Sequence, residues 1–452
     1  MGKRVDLLKD DVKKIFIKYL IPSIAGMIGL SLNILFDTIF VGRGVGSNGL
    51  AALNIVIPIF NVFSAMALLL GIGGATAVSV SMGKKEYDRV NRIFTVAILV
   101  NILIGSIITV LSVLFINKLC YGLGATEEIF SMVKSYLGVI VWFSWAFLMA
   151  NTLAIFVRND KSPKLAMWSM LAGNMANVIF DYIFIFILGW GMKGAAIATT
   201  MSPVVTIALL STHFIRGNNT LKVTVDNLKI DIEILKRIFK NGFPSFIMEM
   251  SNGLIIFAFN MVIGNLIGSI GVSSYSIIAN ISLICVAIFN GIAQAIQPII
   301  SINYGAQQYD RAKKALKLGV ITAFSFGIVF YGIGFLFPEL IVGLFSRGNE
   351  KLTAITVNGI GIYFVAFLFM GSNISMVSYF QSIESSKSST LVSMCRGIVF
   401  VLISLLVLPK VFGINGVWAT IPISELASIA IAIMCVKKTY MEVEKESSYS
   451  LN

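Results

Sequence analysis

The segments Met82–Arg92, MGKKEYDRVNR, and Tyr304–Lys314, YGAQQYDRAKK, lie 222 positions apart in a chain of 452 residues. Sliding the sequence by that interval aligns Ile21–Arg92 with Phe243–Lys314 without a gap. Pro22 and Ser23 meet Pro244 and Ser245, Gly42 meets Gly264, and Gly46, Ser47 and Gly49 meet Gly268, Ser269 and Gly271. Gly83 and Tyr87-Asp88-Arg89 meet Gly305 and Tyr309-Asp310-Arg311, and GMKG at 191–194 meets GING at 413–416. These matches fall on turns, breaks and charges, where chance similarity between apolar segments is least expected. The chain is a tandem repeat.

Composition says in which solvent the repeat folds. Apolar residues make up 57% and charged residues 13%, too little polar surface to coat a water-soluble globule. Stretches such as Ile93–Ile116 and Val392–Leu408 carry almost no charge and approach a membrane-spanning length. The chain reads as an all-α integral membrane protein. MGKRVDLLKDDVKK at the N-terminus is too polar for a cleavable signal, and it lacks the Ser/Thr of a myristoylation motif. The net charge of +13 does not indicate nucleic acid, because the basic residues sit in short loops between apolar runs. Cys120, Cys285, Cys395 and Cys435 share no ligand spacing, so neither a disulfide framework nor a zinc site is expected. A single histidine, His213 near a helix end, reads as interfacial, and enzymes that rely on histidine pairs become poor matches.

Twelve spans are expected, near 16–41, 50–77, 93–116, 134–157, 164–188, 194–214, 242–264, 272–299, 317–345, 353–380, 389–409 and 416–436. All must be helices, since open sheet edges cannot sit in lipid. With the N-terminus in the cytoplasm, 27 of the 35 lysines and arginines fall in cytoplasmic segments and seven outside, with Arg396 inside a span. That asymmetry satisfies the positive-inside rule with both termini cytoplasmic. Six spans per half make the repeats parallel, related by an axis along the membrane normal, with a substrate path between two bundles. The expected division is an N-terminal lobe over 1–215, a cytoplasmic linker over 216–240, a C-terminal lobe over 241–438 and a cytoplasmic tail over 439–452.

Acids inside spans cost about 2.5–3.5 kcal/mol each on insertion scales, so each needs a reason. Asp37, Asp181, Glu249 and Glu425 are the clearest; Arg396, nearer the cytoplasmic end of its helix, is expected to snorkel. Asp37 stands some six residues before the outer end of its helix, about 9 Å inside at about 1.5 Å per residue. Asp181 and Thr199, flanking the outer turn GWGMKG, reach a similar depth, and Asn177 shares a helix face with Asp181. Two carboxylates, an amide and a hydroxyl converge on this reading. Such a group serves a cation in one of two ways: the carboxylates share a proton, or the oxygens replace the water shell of a small hard cation. Asp37 aligns with Phe259 and Glu249 with Met27, so the halves share a scaffold and differ in chemistry. Glu249 reads as a second protonatable site or a contact facing the cleft, and Glu425 as a helix-packing residue.

IPSIAGMIGLSLNILFDTIFVGRGVGSNGLAALNI at 21–55, NMANVIFDYIFIF at 174–186 and GAAIATTMSP at 194–203 together resemble the multidrug and toxic compound extrusion (MATE) transporters. The likeness covers essentially the whole chain, including QSIESSKSS at 381–389 and PISE at 422–425, and looks closest to the bacterial DinF-like and MepA-like branches. It implies twelve helices in two six-helix lobes around a V-shaped cleft, in a bacterial cytoplasmic membrane. The implied activity is antiport: amphipathic, often cationic drugs or toxic compounds leave as H⁺ or Na⁺ enters. No cofactor, no catalytic residue, and no metal beyond Na⁺ at the coupling site is implied; partners are small-molecule substrates and membrane lipid, and the working unit is a monomer. The family's first-lobe cation site matches Asp37, Asn177, Asp181 and Thr199, a helix 7 glutamate matches Glu249, and a helix 1 bend matches Pro22. One departure stands out. The helix 10 aspartate of the NorM-like branch is missing from FVAFLFMGSNISMVSYFQS at 364–382, which weakens a second-lobe cation site.

The rivals are a lipid-linked oligosaccharide flippase of the same superfamily, a major-facilitator transporter and an intramembrane enzyme. Flippases commonly carry extra spans or a basic cleft, whereas the interior charges here are mainly acidic. Gly83 to Asp88 spans five positions where the major-facilitator motif has four. An enzyme lacks a histidine-containing or metal-binding constellation in this sequence, so a transporter and not an enzyme is expected.

Overall fold

The structure is a computed structural model that describes residues 6–217, 219–223, 231–345 and 349–449, the last eight by backbone alone. Every regular element among the described residues is a helix. Lobe 1 comprises α1 (Val12–Gly44), α2 (Ser47–Gly83), α3 (Tyr87–Leu114), α4 (Ile116–Gly122), α5 (Glu127–Trp142), α6 (Ser144–Asn159), α7 (Pro163–Asp181), a π-helical turn (Tyr182–Ile187) and α8 (Gly191–Ile215). Lobe 2 comprises α9 (Ile232–Ile267), α10 (Ser269–Gly305), α11 (Tyr309–Leu336), α12 (Pro338–Gly343), α13 (Glu350–Tyr363), α14 (Phe367–Ser382), α15 (Ser386–Met394), a π-helical turn (Cys395–Val399), α16 (Phe400–Phe412) and α17 (Ile414–Tyr449). Eleven stretches are each long and apolar enough to cross a membrane, and α5 with α6, bent by 53°, make a twelfth.

The repeat is written into the backbone. α2 and α10 start and stop at positions 222 apart, and so do α3 and α11. Gly46 and Gly268 both take positive φ, +93° and +71°, where a side chain is strained, and there α1 and α9 end. Local chemistry sets the helix starts: Asp11 accepts from the Lys14 amide, and Asp231 from those of Glu233 and Ile234. At the bend after Trp142, the Thr109 hydroxyl donates to the Val141 carbonyl and the Ser144 hydroxyl to the Gly105 carbonyl, 3.0 and 2.9 Å. Side chains there stand in for broken helix hydrogen bonds, as lipid demands.

Two sequence expectations need correction. The ninth span does not run to 345: α11 stops at Leu336, and α12 starts separately at Pro338. Phe337 precedes that proline and leaves the helical region, at φ −134° and ψ 42°. The stretch 216–240 is not all linker, because α9 begins at Ile232; Asn218 and residues 224–230 lie outside the described residues. Of the tail over 439–452, residues up to Tyr449 continue α17 and the rest lie outside the described residues.

The lobes meet at the end that carries the chain termini. There α2 packs on α9 and α1 on α10, and α2 crosses α10 at paired glycines. A Cβ on Gly83 would sit 2.2 Å from the Ile302 carbonyl oxygen, and one on its repeat mate Gly305 would sit 2.1 Å from that of Val80. Buried residues of α2 run almost continuously from Phe63 to Gly83, and those of α10 from Cys285 to Gly305. The opposite halves of these helices are far less covered, so the cleft opens away from the termini.

Polar groups seal the closed end. Asn159 accepts from Ser79 and donates to Gln297 across the lobes, both at 2.9 Å, and Gln297 donates to Thr76 at 3.2 Å. The Arg237 guanidinium grips Glu384 at 2.7 and 3.0 Å and donates to Ser81 of lobe 1 at 3.2 Å. Outermost, the capping residues of α1 and α9 are each held by the other lobe: Asp11 by Lys314 at 3.2 Å, and Asp231 by Arg92 at 3.1 Å. Arg92 and Lys314 are repeat mates, the last residues of the two segments quoted at the outset. The duplicated phrase is therefore half of a clasp that the fold makes twice.

Gly305→Leu drives a side chain into backbone, so it should lower the unfolding temperature in detergent, with overpacking costs of about 1–3 kcal/mol. The Lys314 hydrogen bond first, then the Lys14 amide, hold the Asp11 carboxyl below the usual carboxylate range. This contact therefore stabilises above that range and is lost as pH falls through the depressed value. Asp11→Asn should thus be less stable than the parent at neutral pH and equal to it in acid, read by thermal unfolding across pH.

Candidate functional site

Halfway along the far half of lobe 1, two helices bring acids and an amide together. Asp37 comes from α1, and Asn177 and Asp181 from the end of α7, one turn apart on one face. The Asn177 amide donates to Asp181 Oδ2 at 3.2 Å. The Asp37 carboxyl lies within side-chain hydrogen-bonding reach of both Asp181 and Asn177. Immediately after Asp181 the helix widens into the π-helical turn Tyr182–Ile187, a distortion that re-aims side chains and recurs at functional sites.

Thr199 on α8 joins the group at one remove. Its hydroxyl donates to the Ala195 carbonyl at 2.9 Å and lies 3.3 Å from the Tyr136 hydroxyl. Tyr136, on α5, is close enough to Asp37 and Asp181 to feel both charges. Sequence reasoning did not select Tyr136. A tyrosine in an apolar span carries no signal of its own, and only the packing of α5 on α8 brings its phenol here.

The site is buried and rich in acceptors. Asn177 and Asp181 are 0% and 1% exposed. Asp37 Oδ1, Asn177 Oδ1 and Asp181 Oδ1 are buried with no hydrogen-bond donor. No lysine, arginine or histidine forms an ion pair with either acid among the described residues. Unpartnered buried oxygens on three neighbouring side chains are costly unless a positive species joins them. A proton fits as a bridge between the carboxyls; a small hard cation fits as a ligand of carboxylate and amide oxygens.

Glu249 is elsewhere. It lies half-buried on α9 in lobe 2, with no hydrogen bond or ion pair to a described residue, and it is not part of the Asp37 group. Pro22 is buried within α1, which runs as one helix through it, as α9 does through Pro244. Each proline removes one helix hydrogen bond and leaves a point where the helix yields easily.

Two further charged sites depart from expectation. Arg396 does not snorkel: its Nε lies 2.8 and 3.0 Å from the two Glu425 oxygens, with both side chains under 10% exposed. Glu425 is accordingly half of a buried ion pair. His213 is not interfacial either. Its Nε2 lies 2.8 Å from Asp160 Oδ2, both side chains being almost fully buried, and Asp160 also accepts from the Thr220 amide and hydroxyl. That cluster ties the chain leaving α8 back onto lobe 1.

A family model described as MatE matches residues 22–183 and again 244–406, one copy on each lobe. The chain belongs to the MatE family of membrane transporters, and so is not an enzyme. It is 25% identical over 428 residues to the multidrug export protein MepA of Staphylococcus saprophyticus, covering 92% of each chain. To the protein of that name from Staphylococcus haemolyticus it is 26% identical over 441 residues, 94% of each. A solved outward-facing multidrug resistance MATE family transporter of the MOP superfamily superposes with a TM-score of 0.93 at 24% identity, over 98% of this chain and 99% of that one. The V-shaped twelve-helix fold is common to both.

Asn177→Leu strips Asp181 of its donor and should cost about 1–3 kcal/mol, the usual range for a buried acceptor left unpaired. In the Asp181→Asn background the same change should cost less, a coupling that thermal unfolding of the four proteins measures.

Proposed function

We propose that this transporter exports amphipathic, cationic small molecules in exchange for H⁺ or Na⁺, and that Asp37, Asn177, Asp181 and Thr199 take up the coupling ion. The observation that carries the reading is the trio of buried oxygens on Asp37, Asn177 and Asp181 that have no donor. Its cation-seeking character is supported by the absence of any ion-paired base, and export by full-length likeness to proteins named for multidrug export. Glu249, an uncompensated acid on the lobe facing the cleft, is suited to attract cationic cargo.

The cycle follows from charge and hinge. With the far side open, lobe 1 is reached from outside, given termini in the cytoplasm. Arrival of a cation neutralises the acids on α1 and α7 and lets α1 move against α7. Pro22 gives α1 the yielding point. Movement of α1 reaches the closed end directly, because its capping residue Asp11 is held by Lys314 of lobe 2. Those outer ion pairs are solvent-exposed and screened by water, weak enough to break and re-form in every cycle.

Efflux from proteoliposomes, with pH and sodium gradients imposed separately, tests the coupling. Wild-type efflux should stop when both gradients are collapsed. Asp37→Asn and Asp181→Asn should each abolish gradient-driven efflux while the protein remains folded in the membrane. Undiminished efflux in both variants would remove the site.

A further inference from the structure

The two lobes treat one equivalent position differently. Shifted by 222 positions, Arg396 stands where lobe 1 has Asn174, and Glu425 lies one residue beyond Ser424, the mate of Ser202. In lobe 1 these are a neutral pair, with Ser202 Oγ 3.4 Å from Asn174 Oδ1. The surroundings match as well. A Cβ on Gly29 of α1 would lie 3.7 Å from the Asn174 amide, while Ser251, the repeat mate of Gly29, lies 3.4 Å from a Cβ built on Gly397, next to Arg396. Neighbouring positions of the repeat therefore hold a neutral pair in lobe 1 and an ion pair in lobe 2.

The ion pair is built with care. Arg396 stands in the π-helical turn Cys395–Val399, a local widening of the helix that spans 386–412. Its Nε meets both carboxylate oxygens of Glu425. Asn373 of α14 donates to Glu425 Oε2 at 2.7 Å and to the Glu425 main-chain oxygen at 2.9 Å. The guanidinium cannot lose its proton under ordinary conditions and cannot diffuse away. Glu425 thus has a permanent counter-charge.

We propose that Arg396 is a tethered cation that neutralises Glu425 permanently, so that this position of lobe 2 takes no cation from solution. A carboxylate out of water must find positive charge. Glu425 finds it on its own chain; the Asp37 and Asp181 group has no ion-paired base among the described residues and must draw positive charge from outside. The inference rests on the coupling role given to Asp37 and Asp181, and it adds the residue that closes the Glu425 position to exchange.

The test uses the purified full-length protein. Bound cation is read two ways: radioactive sodium in equilibrium dialysis, and the infrared absorption of protonated carboxyl groups. Arg396→Met, which leaves Glu425 uncompensated, should gain one bound sodium ion or one protonated carboxyl relative to wild type. Arg396→Met/Glu425→Gln should lose that gain and keep gradient-driven efflux in proteoliposomes. A folded Arg396→Met protein with neither gain overturns the proposal, as does a folded double variant without coupled efflux. Should the single variant not accumulate, the charge-free double variant still decides the matter through its efflux. Asp37→Asn/Asp181→Asn judges the underlying reading separately: if it binds cation and couples as wild type does, the lobe 1 site falls whatever Arg396 does.

Discussion

A bilayer interior gives an ionised group no solvent, so every carboxylate within it must be matched by positive charge, by a proton or by hydrogen-bond donors. That constraint separates the two lobes more sharply than any difference in shape. In lobe 2, Glu425 is matched by Arg396 and Asn373 within 3.0 Å. In lobe 1, Asp181 receives one donor, Asn177, and Asp181 Oδ1, Asn177 Oδ1 and Asp37 Oδ1 have none among the described residues. Glu425 is neutralised as folded; the acids of lobe 1 have no ion-paired base among the described residues. A transporter needs that incompleteness, since an ion can shift an equilibrium only by binding one state better than another.

The same solvent shapes the backbone. Where a helix breaks, as between α5 and α6, hydroxyls of α3 and α6 replace the missing partners. Where two lobes must meet closely, glycine removes the side chain, and Gly83 and Gly305 let α2 and α10 approach to backbone contact. The interface that results sets amides, hydroxyls and exposed ion pairs among buried apolar contacts shared by both lobes. It is specific enough to hold one arrangement and polar enough to come apart in water. A solid apolar interface of the same extent would bind the lobes permanently.

Much of this was legible in residue order. Hydropathy and the 222-residue repeat gave the helices, their parallel arrangement and the glycine turns, because these depend on local propensity and on segment length. Spacing along α7 put Asn177 and Asp181 on one face, since a helix has a fixed period. Depth counted from the far ends brought Asp37 level with them. The break at Phe337 was missed although Pro338 was visible, because an apolar run masks a local backbone stop.

Pairing across helices was not legible. His213 with Asp160, Arg396 with Glu425, and Tyr136 with Thr199 join residues separated by 29 to 63 positions, and nothing in their spacing announces them. Sequence by itself determined the solvent, the helices, the duplication and the presence of costly charges, all of which follow from composition and period. Tertiary structure alone decided which charges were neutralised, because that depends on rotation and contact between helices, and those are set by packing of the whole bundle.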